Sequence, residues 1–491
     1  MKATAKNSPM KTPPKLEETS EQEIQRLVNL QKREAREKPM PTAADRRNWL
    51  DISIGILVDH KDEIADALDA DFGNRSRQGT MATDIGATIG SLKHCKKHVK
   101  KWMRSSKRSP MPPLGLFGAS AHVEYQPYGC VGNVVPWNFP FNLTFSPLAS
   151  IFAAGNRCIV KPSEYTPHSS ILLKQLVEKY YDEEVLAVVT GGPEVGAVFT
   201  RQPFDHLLFT GATAIAHHVM RAAAENLVPL TLELGGKSPV IVSRKADMKK
   251  TAARVMTGKT LNAGQICLAP DYVMVPKDKL QDFVEEAKKS VTEMFPTMKD
   301  NPDYTSLVNQ RHYERLNGYL DEVKQKGGTL VEINPANEDF SQQAYHKMPP
   351  TIVVDPKDDW KVMQEEIFGP ILPVKSYDKV EEAIDYVNER PRPLGLYYFG
   401  NDSAEEKEVL GRTTSGGVSV NDVLTHVMQE EMPFGGVGPS GMGSYHGYEG
   451  FVNFSHAKST FRQSPLEFVA GVLRPPYGKK IEGLLSSMIK E

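Results

Sequence analysis

The stretch that runs from Leu232-Glu233-Leu234-Gly235-Gly236-Lys237 to Gly264-Gln265-Ile266-Cys267 organises the chain. Between its ends lie a short apolar run, Pro239 to Val242, and a helical pattern from Asp247 to about Asn262. A strand, a helix and their turns fold a segment of this length back on itself, so the Glu233 carboxylate and the Cys267 thiol can meet. A thiolate is a strong nucleophile toward carbonyl carbon. A carboxylate nearby can serve as base for the thiol or for a water. Taken alone, the pair fits a buried core cysteine and an ordinary strand glutamate better, because free cysteine is most often a small core residue.

Outward from this stretch the pattern is strand and helix in alternation. On the N-terminal side, Val131–Val135, Arg157–Lys161, Val185–Thr190, His206–Thr210 and Leu230–Leu234 read as strands. Helices read over Ser169–Tyr181 and from Gly211 to about Asn226. On the C-terminal side, strands read near Pro239–Val242, Tyr272–Val275, Thr351–Val354, Leu394–Phe399 and Gly417–Asn421, with helices between. Repeated strand–helix–strand units imply parallel sheets with helices on both faces, hence an α/β chain of two doubly wound domains. Helical periodicity precedes the first series. It covers Glu21–Glu37, then a run starting near the candidate N-cap Thr42 and carrying Trp49, Leu50, Ile54, Leu57, Ile64 and Leu68, then Thr83–Met103. Lys93, Lys96, Lys97, Lys100 and Lys101 form a basic side on the last of these, which reads as a solvated face. Alternation at Ala121–Tyr125, and a later segment near Val452–Phe454, suggest strands outside both series. Residues 1–20 read as disordered, and Ile481–Ile489 as a short amphipathic helix at most.

With 491 residues, 40% apolar and 24% charged, the chain has the balance of a soluble protein of two or three domains. A net charge of −2 gives no case for nucleic acid. The four cysteines match neither a metal site nor a disulfide framework, which points to a reducing, cytoplasmic compartment. No secretory signal is visible. The uncharged run near Tyr125–Asn156 contains Pro127, Pro136, Pro140 and Pro147, too many breaks for a membrane span.

Several loops carry chemistry. The strand–Gly211–helix junction presents backbone N–H groups to a phosphate or nucleotide. Lys161-Pro162-Ser163-Glu164 follows a strand and could hold ribose hydroxyls, or be a surface turn. In Pro136-Trp137-Asn138-Phe139-Pro140, two prolines fix an amide between aromatics, which is what an oxyanion needs. Glu366-Ile367-Phe368-Gly369-Pro370 reads as a further strand-end acid and aromatic. Pro433-Phe434-Gly435-Gly436-Val437-Gly438 reads as a flexible loop near the end of the second domain.

Taken together and in order, these motifs, with Phe209-Thr210-Gly211, resemble the NAD(P)-dependent aldehyde dehydrogenase superfamily from about residue 25 to 465. Cys267-Leu268-Ala269-Pro270-Asp271-Tyr272 and Ser440-Gly441-Met442-Gly443-Ser444-Tyr445-His446-Gly447 are similar to the branch of class 3 and fatty aldehyde enzymes. Asp71-Phe72-Gly73-Asn74-Arg75-Ser76 and Phe204–Pro229 are most similar to bacterial coniferyl aldehyde dehydrogenases.

The resemblance implies a Rossmann-like cofactor domain over 21–110 and 128–235 and a catalytic domain over 236–440. It further implies a small β oligomerisation arm over 111–127 and 450–462, and a C-terminal extension over 463–491. By the same resemblance, Cys267 is the nucleophile, Glu233 the water-activating base, and Asn138 with the Cys267 N–H the oxyanion site. Pro136, Trp137, Lys161, Glu164, Gly211, Ala212, Ala216, Glu366 and Phe368 then line the dinucleotide site. NAD is the expected cofactor, with NADP accepted too; a homodimer is expected, with a tetramer as alternative, and no metal is expected. The chain departs from the family pattern at Ala212 and Ala216, where serine and glycine are usual, and at Ile266, where threonine is common. The expected reaction is oxidation of an aromatic or cinnamyl aldehyde to its acid. Alternatives are a medium- or long-chain aliphatic aldehyde, thioester transfer to coenzyme A, or a non-catalytic protein on an enzyme fold. Glu233 argues against transfer, since a water-activating base favours hydrolysis.

Overall fold

Thr42 starts the helix Ala43–Asp59 through a capping box: its hydroxyl accepts from the Asp45 N–H, and its own N–H donates to the Asp45 carboxylate at 2.8 Å. The computed structural model describes residues 13–471 and 474–489. The helical run expected to continue to Leu68 is divided at His60, and a second helix covers Lys61–Phe72. A π-helical stretch, Met81–Ala87, then leads into the helix Thr88–Trp102. Leu50, Leu57, Ile64, Leu68, Leu92 and Val99 from these helices are fully buried in one core with the helix Asn142–Ala154. That helix is buried at every position from Leu143 to Ala154, which accounts for the uncharged run in the sequence. Among the described residues no helix is long and apolar enough to cross a membrane.

The strands form three sheets. Strands β1 (Ser106–Arg108) and β2 (Ser120–Pro127) open the smallest. Strands β3 (Cys130–Val134), β4 (Arg157–Lys161), β5 (Leu186–Val188), β6 (His206–Gly211) and β7 (Leu230–Leu234) form a parallel sheet in the order β7-β6-β3-β4-β5. The winding reverses at β3, between β4 and β6. Doubly wound sheets bind ligands at the carboxyl ends of the strands flanking such a switch point.

The second large sheet holds β8 (Pro239–Val242), β9 (Tyr272–Pro276), β10 (Thr329–Glu332), β11 (Thr351–Val354), β12 (Ile371–Tyr377), β13 (Gly395–Phe399) and β14 (Gly417–Val420). Its order is β10-β11-β12-β9-β8-β13-β14, with only β10 antiparallel. The chain then returns to the first sheet: β15 (Gly441–Met442) pairs antiparallel with β7, placing Gly441 opposite Glu233. Last, β16 (Ser455–Arg462) pairs antiparallel with β2 along its whole length and completes the three-stranded arm.

Three expectations need correction. Val452–Phe454 is not a strand; the helix Gly447–Asn453 runs through it and the arm strand begins at Ser455. Phe451 and Phe454, three residues apart and both fully buried, anchor one helical face in the core. Glu366 is not at a strand's carboxyl end but in the loop entering β12. The expected disordered tail is docked in part: Thr190 accepts from the Thr19 N–H and donates its hydroxyl to the Glu17 carbonyl, at 2.9 and 2.7 Å. Residues 1–12 of that tail lie outside the described residues.

Candidate active site

Cys267 follows a turn with unusual backbone. Asn262, Ala263 and Gly264 all have positive φ, at 49°, 52° and 74°. Such a run of left-handed residues persists only where surroundings hold it. Here the Gln265 side chain donates to the Asn262 and Ser306 carbonyls at 2.9 and 3.0 Å and accepts from the Val308 N–H at 3.0 Å. A Cβ on Gly264 would overlap the Gly369 carbonyl, so the turn packs backbone to backbone against the Glu366–Gly369 loop. Burial pushes the Cys267 thiol up to about 12, and the Glu366 and Glu233 charges add to the rise. The N–H groups of Cys267 and Leu268 face the sulfur and oppose it.

Glu233 lies near the end of β7, between Thr210 of β6 and Gly441 of β15. It is 3% exposed, and among the described residues neither carboxylate oxygen has a hydrogen-bond partner. Burial raises its pKa well above the usual carboxylate range. Its charge reaches both the Cys267 thiol and the phenol of buried Tyr445. Gly435 lies directly over it: a Cβ there would stand 3.2 Å from Glu233 Oε1.

Asn138 closes the site from the β3 side. One N–H of its amide donates to the Gln265 carbonyl at 3.1 Å, next to the Cys267 turn, and an amide nitrogen carries a second N–H. The Asn138 carbonyl is held by Arg75 Nη1 at 2.7 Å. Arg75 is itself fixed by a buried ion pair with Asp84 at 2.7 Å and by the Phe72 and Phe139 rings.

Further candidate residues cluster at the carboxyl ends of β3, β4 and β6, at the switch point. Trp137 packs edge-on against Phe368 at 5.3 Å and near His312 at 5.0 Å. At the end of β4, Lys161 is 4% exposed with Nζ 3.3 Å from the Glu164 carboxylate. Gly211 turns the chain into the helix Thr213–Ala224; a Cβ there would stand 2.7 Å from the Phe209 ring. Ala212 occupies the N-cap without any side-chain cap bond, leaving the first N–H groups of the helix free. Ala216 differs from expectation: its methyl is 2% exposed and belongs to the core under the helix.

In the loop entering β12, the Glu366 carboxylate is pushed up to about 7 by burial and then by Asp271, against one hydrogen bond from the Gly236 N–H. A Cβ on Gly235 would overlap that carboxylate, so glycine at this position lets it approach. Arg315 holds the Glu366 and Ile367 carbonyls at 3.2 and 2.8 Å. Asp271, paired with Lys237, accepts from the Ile367 N–H at 2.9 Å.

The family model described as Aldehyde dehydrogenase family matches residues 6–460. The chain belongs to the aldehyde dehydrogenase family. Among its relatives, a probable coniferyl aldehyde dehydrogenase of Caulobacter vibrioides is 59% identical over 453 residues, covering 92% of this chain and 93% of the relative. The coniferyl aldehyde dehydrogenase of a Pseudomonas species is 54% identical over 444 residues, covering 90% and 92%. Among solved structures, a substrate-bound Staphylococcus aureus AldH superposes with a TM-score of 0.88 at 36% identity, covering 95% of this chain and 99% of that one. This aldehyde dehydrogenase therefore oxidises an aldehyde with NAD(P)+.

The site fits that cofactor on its own evidence. It offers free helical N–H groups for phosphate at Ala212–Thr213, a buried Lys161 paired with a half-buried Glu164, and a half-buried carboxylate at Glu366. Sequence reasoning missed several residues that hold the aldehyde dehydrogenase site in shape. Arg75 stood in a quoted motif without a role, and Asp84, His312 and Arg315 in none. Lys259 was also missed: its ammonium is fully buried with no hydrogen-bond partner among the described residues, and burial lowers it to about 8. Its neighbours Asp271 and Glu366 oppose that fall. No local pattern gives these residues their roles, because the site groups they hold, such as the Asn138 carbonyl for Arg75 and the Glu366 carbonyl for Arg315, are distant in sequence.

Proposed function

We propose that Cys267 attacks the aldehyde carbon and that Glu233 serves as the base for both half-reactions. The observation that carries this is the Glu233 carboxylate, buried and without a hydrogen-bond partner, within electrostatic reach of the thiol. A thiol held near 12 does not ionise on its own at neutral pH. A carboxylate with a raised pKa is the stronger base for taking its proton. Attack gives a thiohemiacetal on Cys267, with the Asn138 amide and the Cys267 N–H around its oxyanion. Bound NAD(P)+ supplies the hydride acceptor. Collapse of the oxyanion gives up the hydride and leaves a thioester on Cys267, while Glu233 returns the thiol's proton to solvent. Glu233 then takes a proton from water as the water attacks that thioester, the Cys267 thiolate is expelled, and the acid leaves.

Lys161 and Glu164 hold the adenine ribose in this reading, and Glu366 the nicotinamide ribose, with Phe368 and Trp137 packed beside it. A carboxylate at Glu164 accepts from ribose hydroxyls and repels a 2′-phosphate, which favours NAD over NADP. The aldehyde is aromatic, of the coniferyl type, on the strength of identities of 54% and 59% to enzymes so named. The reaction belongs to the cytoplasm, and the working unit is a homodimer joined through the β1-β2-β16 arm.

A panel of coniferyl, benzyl and straight-chain aldehydes, followed by NADH absorbance, tests the substrate class. The expected result is the highest kcat/KM with coniferyl aldehyde and a lower KM for NAD than for NADP. A higher kcat/KM with medium-chain aliphatic aldehydes would replace the aromatic reading with its alternative and leave the chemistry at Cys267 untouched.

A further inference from the structure

The helix Thr88–Trp102 carries His94 and His98 one turn apart, and neither belongs to the site above. Residues at this spacing project from one helical face. Their Nε2 atoms meet a third group from a distant segment. The Glu431 carboxylate stands 3.7 Å from His94 Nε2 and 4.0 Å from His98 Nε2, through the same oxygen. One ligand atom from each of the three residues lies within 4.8 Å of the others.

An aromatic contact explains part of this arrangement. The His98 ring stacks on Trp102 at 5.6 Å, and the His94 and His98 rings lie 4.6 Å apart. Stacking does not require both Nε2 atoms to converge on one carboxylate oxygen. Nor does an ion pair require it, since a single imidazolium would suffice for the one Glu431 oxygen that both rings face. A neutral imidazole presents one lone-pair nitrogen. Two such nitrogens and a carboxylate are a donor set suited to zinc-class divalent ions.

We propose that His94, His98 and Glu431 bind one divalent transition-metal ion of the zinc class, which fastens the segment 429–447 to the helix Thr88–Trp102. Bonds of about 2.0–2.2 Å place the ligands of a tetrahedral site about 3.4 Å apart. The ligand atoms thus need only a small inward movement, and Glu431, with its side chain 82% exposed, is free to make it. The fourth position is left to water. The segment so fastened matters to the enzyme. It is already tied to the same helix through Glu430 and Ser91, it lays Gly435 over Glu233, and it supplies β15. A metal here would limit how far that cover lifts.

Calorimetric titration of the full-length protein with zinc chloride, and cobalt(II) absorption spectroscopy, test the site. His98→Gln and Glu431→Gln are the variants, and each should keep its metal-free activity. The expected result is one equivalent bound by the unaltered protein and at least tenfold weaker binding in each variant. The cobalt spectrum should lack a thiolate charge-transfer band. Zinc should also slow amide exchange across 429–447 in the unaltered protein and leave His98→Gln unaffected. Unchanged affinity in both variants, or a thiolate band placing the ion at Cys267, would overturn the site. Binding without slowed exchange would overturn the fastening.

Discussion

At the residue scale, Cys267 and Glu233 separate into distinguishable variants. Cys267→Ser should remove nearly all activity, because an unactivated hydroxyl is a far poorer nucleophile than a thiolate. Glu233→Gln keeps the size and removes the base, which should lower steady-state turnover on the order of 10²–10⁴-fold. Since the thiol is held near 12, the first burst of NADH should slow as well, and should recover as pH rises. Rapid mixing with intact-protein mass spectrometry measures both; an unchanged steady-state rate would refute the base assignment.

Glu366 makes a second prediction, through stability. Its folded pKa is raised from 4.5 to about 7. For an acid, that means the fold favours the protonated form, so stability is full below about pH 4.5 and declines as pH rises through about 7. Glu366→Gln should therefore raise the melting temperature at pH 8 and change it little at pH 5. The shift caps the gain at about 3 kcal/mol, and partial exposure reduces it. A gain of equal size at both pH values would sink the argument. Cys267, Glu233 and Asn138 could be singled out from the sequence because each sits in a short motif, and it was the motifs in order, not the residues alone, that pointed to a site. Arg75 and Asp84 could not, since what makes them important is a pair buried at 2.7 Å that holds the Asn138 carbonyl, far away in sequence.

At the scale of elements, the helix Thr213–Ala224 begins without a cap. Ala212 already has the extended backbone of an N-cap, with φ −74° and ψ 140°. Ala212→Ser should therefore add an acceptor for a free N–H and stabilise the protein by about 0.5–2 kcal/mol. Calorimetric melting measures it; no rise in melting temperature would mean that the free N–H groups are already satisfied. The strands flanking the switch point were legible because each is a short apolar run ending at a glycine or lysine. Strand β12 was not: Pro373 interrupts it, and a proline argues against a central strand. Its place between β11 and β9 is set by tertiary packing. The helix Gly447–Asn453 was mistaken for a strand because three residues are too few to tell the two periods apart.

At the scale of the molecule, the arm predicts assembly. β16 is an edge strand of a three-stranded sheet, and most of its side chains are exposed, Phe461 at 50% among them. An exposed edge of this length is normally covered. Light scattering at micromolar concentration should give twice the chain mass, and a monomer alone would count against the homodimer. The alternation of Ala121–Tyr125 signalled this arm, whereas the short β1 carried no signal of its own.

Strand β15 has a consequence for any attempt to divide the enzyme. A cut near Gly236–Lys237 looks natural, between the last parallel strand of one sheet and the first of the other. Yet the N-terminal piece would lack Gly441–Met442, the strand that covers the open edge of β7, and the Ser440 carbonyl that receives the Leu234 N–H at 3.1 Å. The carboxylate of Glu233 would then lie on a bare sheet margin, open to water and to pairing with other chains. The two pieces should be insoluble or inactive when produced apart, and should recover activity only when made together, so that the far end of one can finish the sheet of the other.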